Sequence, residues 1–394
     1  MRAATRLGRL GTESAYVVLE AAKRLEAAGH RVLHLEIGEP GMPTPPHVVE
    51  AGIRALRDGR TRYAVAAGVP ELREAVAQAL AGRGVRTTAE HVVVTPGAKP
   101  MLFCAALALI EPGDEVLCPD PGFPIYESVV RFAGGTPVYY PLDARRGFAP
   151  DTDAIAARIT ARTHALILNM PHNPTGGVAT GGDLGRLAEL AQRHDLWVLS
   201  DEVYAPIRYD GRCESIAALP GMAERTVIID GFSKAYSMTG WRLGYGVMPA
   251  WLVGPMTTLI INNLSCTTTF VQYAGVAALT GPQEPLHRWV ASLRATRDTL
   301  VSGLNAIDGI SCASPPGAFY AFPDVSGVLE RAGLTSEGLA ERLLAEAHTA
   351  VLAGSAFGAG GANHLRLSYA GAATDIELAL ERVRGWVGSL AAAV

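Results

Sequence analysis

The 394-residue chain is long enough for two domains of ordinary size, and at 49% hydrophobic residues it can bury a large core and a subunit interface as well. Its formal net charge of −4 argues against a nucleic-acid or anionic-membrane partner, and its longest apolar run, MLFCAALALI, is ten residues, too short to span a bilayer and better read as a buried helix. Five scattered cysteines without a C-x-x-C pair point to small core thiols of a reduced, cytoplasmic compartment and to no zinc site.

In chain order, MRAATRLGRLG has arginines but no apolar core or cleavage pattern, so it reads as a loose arm rather than a secretion signal. Helical spacing predicts a helix over 14–28, with Lys23 on its solvated face. A short strand, VLHLEIG, follows and ends in the loop GEPGMPTPP, where glycine and proline preclude regular structure. From about residue 46 helices alternate with seven apolar strand candidates: HVVVTP, DEVLCPD, TPVYYPL, HALILNMP, LWVLSDEVY, RTVIIDGF and GYGVM. Most are apolar on both faces, which predicts an α/β fold with a mainly parallel sheet sandwiched between helices. Helical stretches near 250–280 and 284–306 lead away from the sheet. Beyond them, GAFYAFP and HLRLSYA strands with helices at 336–347 and 374–389 form a smaller α+β unit.

Ligands of open α/β sheets bind outside the carboxyl ends of the strands, so the polar residues there carry the search. HVVVTPGAKP turns at Gly97 into a helix whose free N–H groups suit a phosphate, without matching either nucleotide fingerprint. NPTGG brings Asn173 to a strand end. SDEVY brings Asp201, Glu202 and Tyr204, and a carboxylate there needs a cation, a metal or donor groups. No histidine with ligand spacing lies nearby, which disfavours a metal. A protonated pyridine nitrogen is a partner that such an acid keeps charged. GFSKAYSMTGWRLGYG holds Lys234 and Arg242. Lysine is scarce: only Lys23, Lys99 and Lys234 occur among 34 lysines and arginines. A lysine kept in such a chain suits chemistry that needs a neutral amine, which arginine cannot supply. Arg366, among apolar neighbours in HLRLSYA, suits a bidentate clamp for a carboxylate.

In this order the motifs resemble those of the class I/II aminotransferases, the aspartate aminotransferase family of fold-type I pyridoxal-phosphate enzymes, from about Ser14 to the C-terminus. The resemblance implies a seven-stranded-type sheet in a large pyridoxal-phosphate-binding domain over 46–282. A small domain would comprise 283–394, joined by the arm and helix of 1–45. It implies that Lys234 forms a Schiff base with pyridoxal 5′-phosphate and then moves the substrate proton. Asp201 would pair with the ring nitrogen, Asn173 and Tyr204 would bond the ring's phenolic oxygen, and Phe123 would stack on the ring. Gly97, Ala98, Ser233 and Arg242 would surround the phosphate, with Lys99 beside the same turn as a further cofactor contact, although Gly231 stands where the family often has a serine. Tyr63 would reach the phosphate of a neighbouring subunit, which makes the protein a homodimer with shared sites. Arg366 would clamp the α-carboxylate, helped by Asn173, with Gly38 contributing from the N-terminal segment.

Lys99 resembles a lysine that in one bacterial branch meets the distal carboxylate of aspartate or glutamate, so the expected donor is one of these and the acceptor a 2-oxo acid. Glu13 and Ser14 lie where that branch has hydroxyls, and a glutamate there would repel a dicarboxylate or attract a basic group. Asn263 and Ser265 of the partner subunit would line the same pocket. Rival readings are a lyase, cyclase or other biosynthetic enzyme on this scaffold, and a non-catalytic aminotransferase-like sensing module. The sensing module is disfavoured by the dozen residues before the first helix and by the negative charge. A nicotinamide dehydrogenase lacks its dinucleotide fingerprint.

Overall fold

The structure is a computed structural model that describes residues 2–391. All seven strand candidates join one sheet, in the spatial order Val92–Thr95, Gly244–Val247, Thr226–Gly231, Trp197–Asp201, Thr163–Asn169, Glu115–Asp120 and Thr136–Pro141. Gly244–Val247 runs antiparallel to both its neighbours, and the remaining pairs are parallel.

The near-continuous apolar runs follow from burial on both faces. Val93, Ile167, Leu199, Val227 and Ile229 pack under the Ala98–Leu109 and Ala250–Leu264 helices. On the opposite face Leu166, Leu168 and Val198 meet the Gly181–Arg193 helix, while Val92, Val94 and Ile228 meet Pro70–Ala81 and Thr269–Thr280. Successive strand residues thus alternate between two cores.

A second, three-stranded antiparallel sheet is ordered Leu352–Ala353, Leu365–Ser368, Tyr320–Ala321. The Glu284–Asn305, Ser336–Ala347 and Ala373–Ala391 helices accompany it. The N-terminal chain joins this unit through Leu33–His34, which pairs in parallel with Thr349–Ala350. Among the described residues no helix is long and apolar enough to cross a membrane.

Two local expectations change. The strand expected over VLHLEIG is only Leu33–His34, although Leu35 still bonds Ala350 and Ser368 through the backbone. The chain then leaves the ladder and brings the Gly38 carbonyl to Lys234. The helix expected over 250–280 is two, Ala250–Leu264 and Thr269–Thr280. Ser265 takes a left-handed φ of 62°, and Thr267 donates its hydroxyl to the Val94 carbonyl instead of continuing the helix.

Candidate active site

The carboxyl ends of the parallel strands put Asp120, Asn169, Asp201 and Gly231 along one edge, with Asn169 and Asp201 in register. Beyond Asn169, Asp201 and Gly231 lies a cavity of about 690 Å³, closed from the other side by Gly38, Tyr320 and Arg366 of the smaller unit.

Lys234 sits on the short Phe232–Ala235 helix that follows the Gly231 strand, anchored by buried Phe232 against Tyr245. Its amine donates to the Gly38 carbonyl at 2.5 Å. Burial, with the positive charges of Arg366 and Lys99, pushes its pKa down to about 8. Asp201 ends its strand under nearly full burial, which pushes its pKa up to about 6, while the hydrogen bond from Tyr126 pulls it back. The Tyr126 hydroxyl donates to Oδ2 at 2.7 Å and the Val203 N–H to Oδ1 at 3.3 Å. Among the described residues neither Asp201 nor Lys234 has a salt-bridge partner. Asn169 braces the same edge: its Nδ2 donates to the Asp201 carbonyl at 3.0 Å and its Oδ1 accepts from the Asn173 N–H at 2.7 Å.

Arg366, 4% exposed, projects from the middle of its strand. One guanidinium nitrogen donates to the Glu36 carbonyl and another to Asn173 Oδ1 at 3.4 Å, while Nε is buried without a partner. Its guanidinium carbon lies 4.6 Å from the Tyr320 ring centre. Burial lowers its pKa, but a guanidinium keeps its charge. An unfinished set of donors on a buried cation invites an anion.

Gly97 caps the Ala98–Leu109 helix with φ 99°, and a Cβ there would stand 2.4 Å from Arg242 Nη2. The bare glycine lets the Arg242 guanidinium lie against the helix N-terminus, where free N–H groups and the guanidinium face one anion site. A Cβ at Gly231 would meet the Leu243 carbonyl at 3.1 Å, so this turn is tight around a glycine.

Of the residues singled out in the sequence, Gly38, Ala98, Lys99, Phe123, Asn173, Asp201, Tyr204, Ser233, Lys234, Arg242 and Arg366 line the cavity, together with Glu13 and Gly231. Gly97 stands just behind Ala98, against Arg242. Ser14 opens the Ser14–Ala27 helix outside the lining, and Asn263 and Ser265 are outside it too. Tyr63 is 88% exposed and away from this chain's own cavity. Lys99 makes an ion pair with Glu13. The Tyr204 hydroxyl is hydrogen-bonded to that of Tyr320 at 2.8 Å.

Among the lining residues that the sequence reading did not single out, three make side-chain hydrogen bonds to Asp201 or Tyr204: Tyr126, Asn169 and Tyr320. Asn169 was findable, since it ends an apolar strand as Asp201 does. Tyr126 and Tyr320 come from a helix and a short strand with no local polar signal.

The family model for aminotransferase class I and II matches residues 30–383. An aspartate aminotransferase of Musicola paradisiaca is 37% identical over 96% of this chain and 95% of its own length. The solved aspartate aminotransferase of Thermus thermophilus with maleate superimposes with a TM-score of 0.91 at 38% identity, covering 98% of this chain and 99% of that one. An aromatic aminotransferase of Pyrococcus horikoshii does so with a TM-score of 0.88 at 39% identity, covering 93% and 98%. With a family match across most of its length and a matching fold, the chain belongs to the class I and II aminotransferases.

Proposed function

We propose that this aminotransferase works with pyridoxal 5′-phosphate, held by Lys234, and moves an amino group from glutamate or aspartate to a 2-oxo acid. The observation that carries the reading is the pairing of Lys234 with Asp201. An amine with its pKa near 8 and a buried carboxylate with no salt-bridge partner share one cavity. The donor set fits the cofactor. Lys234 offers the amine for its aldehyde, Asp201 an anion for its ring N–H, and the Ala98 helix start with Arg242 and Ser233 a seat for its phosphate. Tyr204 and Asn173 offer donors for its phenolic oxygen, and Phe123 an aromatic face. When bound, pyridoxal phosphate supplies the electron sink that makes the substrate's α-proton removable.

The chain's own residues do the rest. Arg366 and Asn173 hold the substrate carboxylate and so fix the α-carbon, with Gly38 at the same wall. Tyr126, Asn169 and the Val203 N–H hold Asp201 in one orientation. Lys234, easily deprotonated because it is desolvated among cations, takes the α-proton and returns it as general acid. Relatives named for aspartate support an acidic donor, whose distal carboxylate would meet Lys99 on the cavity wall in exchange for its Glu13 partner. Exposed Tyr63, Val65, Trp251 and Ile261 support a homodimer in which Tyr63 serves the neighbouring site. Five free thiols, four of them buried, support the cytoplasm.

The test is the visible spectrum of the protein with pyridoxal phosphate, before and after L-glutamate, with Lys234→Ala as control. The expected result is a Lys234-dependent band that bleaches as 2-oxoglutarate is released. A band that forms and ignores both glutamate and aspartate would reject the donor assignment. The absence of any Lys234-dependent band would reject the catalytic one.

A further inference from the structure

The wall of the cavity carries one feature that cofactor binding does not use. Glu13 immediately precedes the Ser14–Ala27 helix as its cap residue, yet its side chain makes no capping bond. Glutamate is a poor cap, and its carboxylate is free of the helix. It reaches instead to the Lys99 amine, 86 residues away, on the first turn of the Ala98–Leu109 helix. That amine stands 5.4 Å from the centre of the Phe123 ring, which also lines the cavity. The segment before Glu13 is tied down, since the Gly11 N–H donates to Ser128 Oγ at 2.9 Å. Glu13 lines the cavity with its side chain 17% exposed, so its carboxylate lies at the wall of the reaction space.

The consequence concerns the substrate's side chain. Arg366 is committed to one carboxylate, Arg242 lies at the helix start against Gly97, and Lys234 to the amine chemistry. Lys99 is the remaining lysine of the wall, and Glu13 has already neutralised it. An acidic side chain must displace the Glu13 carboxylate to reach Lys99. An apolar side chain need displace nothing and finds Tyr16, Leu19, Ile37 and Phe123 in the same wall.

Resting on the aminotransferase reading above, we propose that Glu13 is a specificity-determining residue. By holding Lys99 in an ion pair it lowers the preference for dicarboxylates and leaves the site open to apolar amino acids as well. Specificity is a difference of affinities, and a carboxylate built into the pocket acts against an acidic ligand without contacting the reacting atoms.

The test uses the protein loaded with pyridoxal phosphate, as wild type, Glu13→Gln, Lys99→Gln and the double variant. Binding of the unreactive dicarboxylate succinate is measured by calorimetry, and kcat/KM is measured for L-aspartate and L-leucine in each enzyme. In Glu13→Gln, succinate is expected to bind about three- to fivefold tighter and the aspartate-to-leucine ratio to rise by about as much, the scale of one freed, half-exposed ion-pair partner. Adding Lys99→Gln should abolish both gains. Succinate affinity and ratio within twofold of wild type in Glu13→Gln, or a fall in either, would overturn the assignment of Glu13 alone. A wild type that turns over neither of these amino acids nor L-glutamate would overturn the proposed aminotransferase reaction along with it.

Discussion

Tyr126 donates its hydroxyl to Oδ2 of Asp201 at 2.7 Å, from a helix 75 residues earlier in the chain, with both groups buried. A donor to the ionised form lowers a carboxyl pKa, so Tyr126 opposes the upward push of burial. In Tyr126→Phe the Asp201 carboxyl should titrate higher. The acid limb of kcat/KM should move up by about one pH unit, with about a fivefold loss at the wild-type midpoint and much less about two pH units above it. A profile lowered equally at all pH values would show that the hydroxyl acts only through packing.

The same carboxylate burdens the protein when no ring cation faces it. Its folded pKa of about 6 lies above the ordinary carboxylate value, so the folded chain holds a proton that the unfolded chain has released. Stability without cofactor therefore falls as pH rises through the interval from the unfolded pKa to about 6, and the cost is complete above it. Cofactor-free Asp201→Asn should be more stable than cofactor-free wild type at pH 7.5, by about 3 kcal/mol, and equal to it near pH 4. With pyridoxal phosphate the order should reverse. Melting curves with and without cofactor across that range decide it.

Much of this was legible in the chain because the physics is local. The seven strands announced themselves by apolar runs long enough to serve two cores, as Val92 to Val94 and Ala165 to Leu168 do. Asp201 closes its run at the sheet edge where strand geometry puts it, while Asn173, expected at a strand end, lies four residues beyond the strand that Asn169 closes. What stayed hidden depends on convergence between distant segments. Tyr126 and Tyr320 are ordinary aromatic residues until folding brings them to Asp201 and Arg366. The short Leu33–His34 strand has an extended apolar sequence, yet the chain leaves the ladder and brings the Gly38 carbonyl to Lys234, a contact set by a residue 196 positions away. The helix break at Ser265 is likewise set by a bond from Thr267 to a strand residue, Val94.

Arg366 presents a fork, with two nitrogens committed to Glu36 and Asn173 and Nε left open. Lysine in its place keeps the charge and loses the fork. Arg366→Lys should raise KM for amino acids about 10- to 100-fold and lower kcat less, because binding of the carboxylate precedes the proton transfer and is shared by ground and transition states. Pyridoxal phosphate affinity should stay near wild type, measured by equilibrium titration of the visible band. A drop in cofactor affinity equal to the loss in KM would place Arg366 in cofactor binding instead.

Gly97 holds φ 99° at the start of the Ala98–Leu109 helix, and a Cβ there would stand 2.4 Å from Arg242 Nη2. Alanine thus meets two costs at once: a left-handed backbone that L side chains rarely adopt, and a clash that can be relieved only by moving the Arg242 guanidinium. Both effects fall on the anion seat and neither falls on Lys234 or Asp201. Gly97→Ala should weaken pyridoxal phosphate at least tenfold and destabilise the fold by about 1–3 kcal/mol, while binding of pyridoxal, which lacks the phosphate, changes little. Parallel titrations with the two cofactors separate the cases. An equal loss for both would mean that the substitution disturbs the whole cavity, and an unchanged affinity for pyridoxal phosphate would remove Gly97 and Arg242 from the phosphate site.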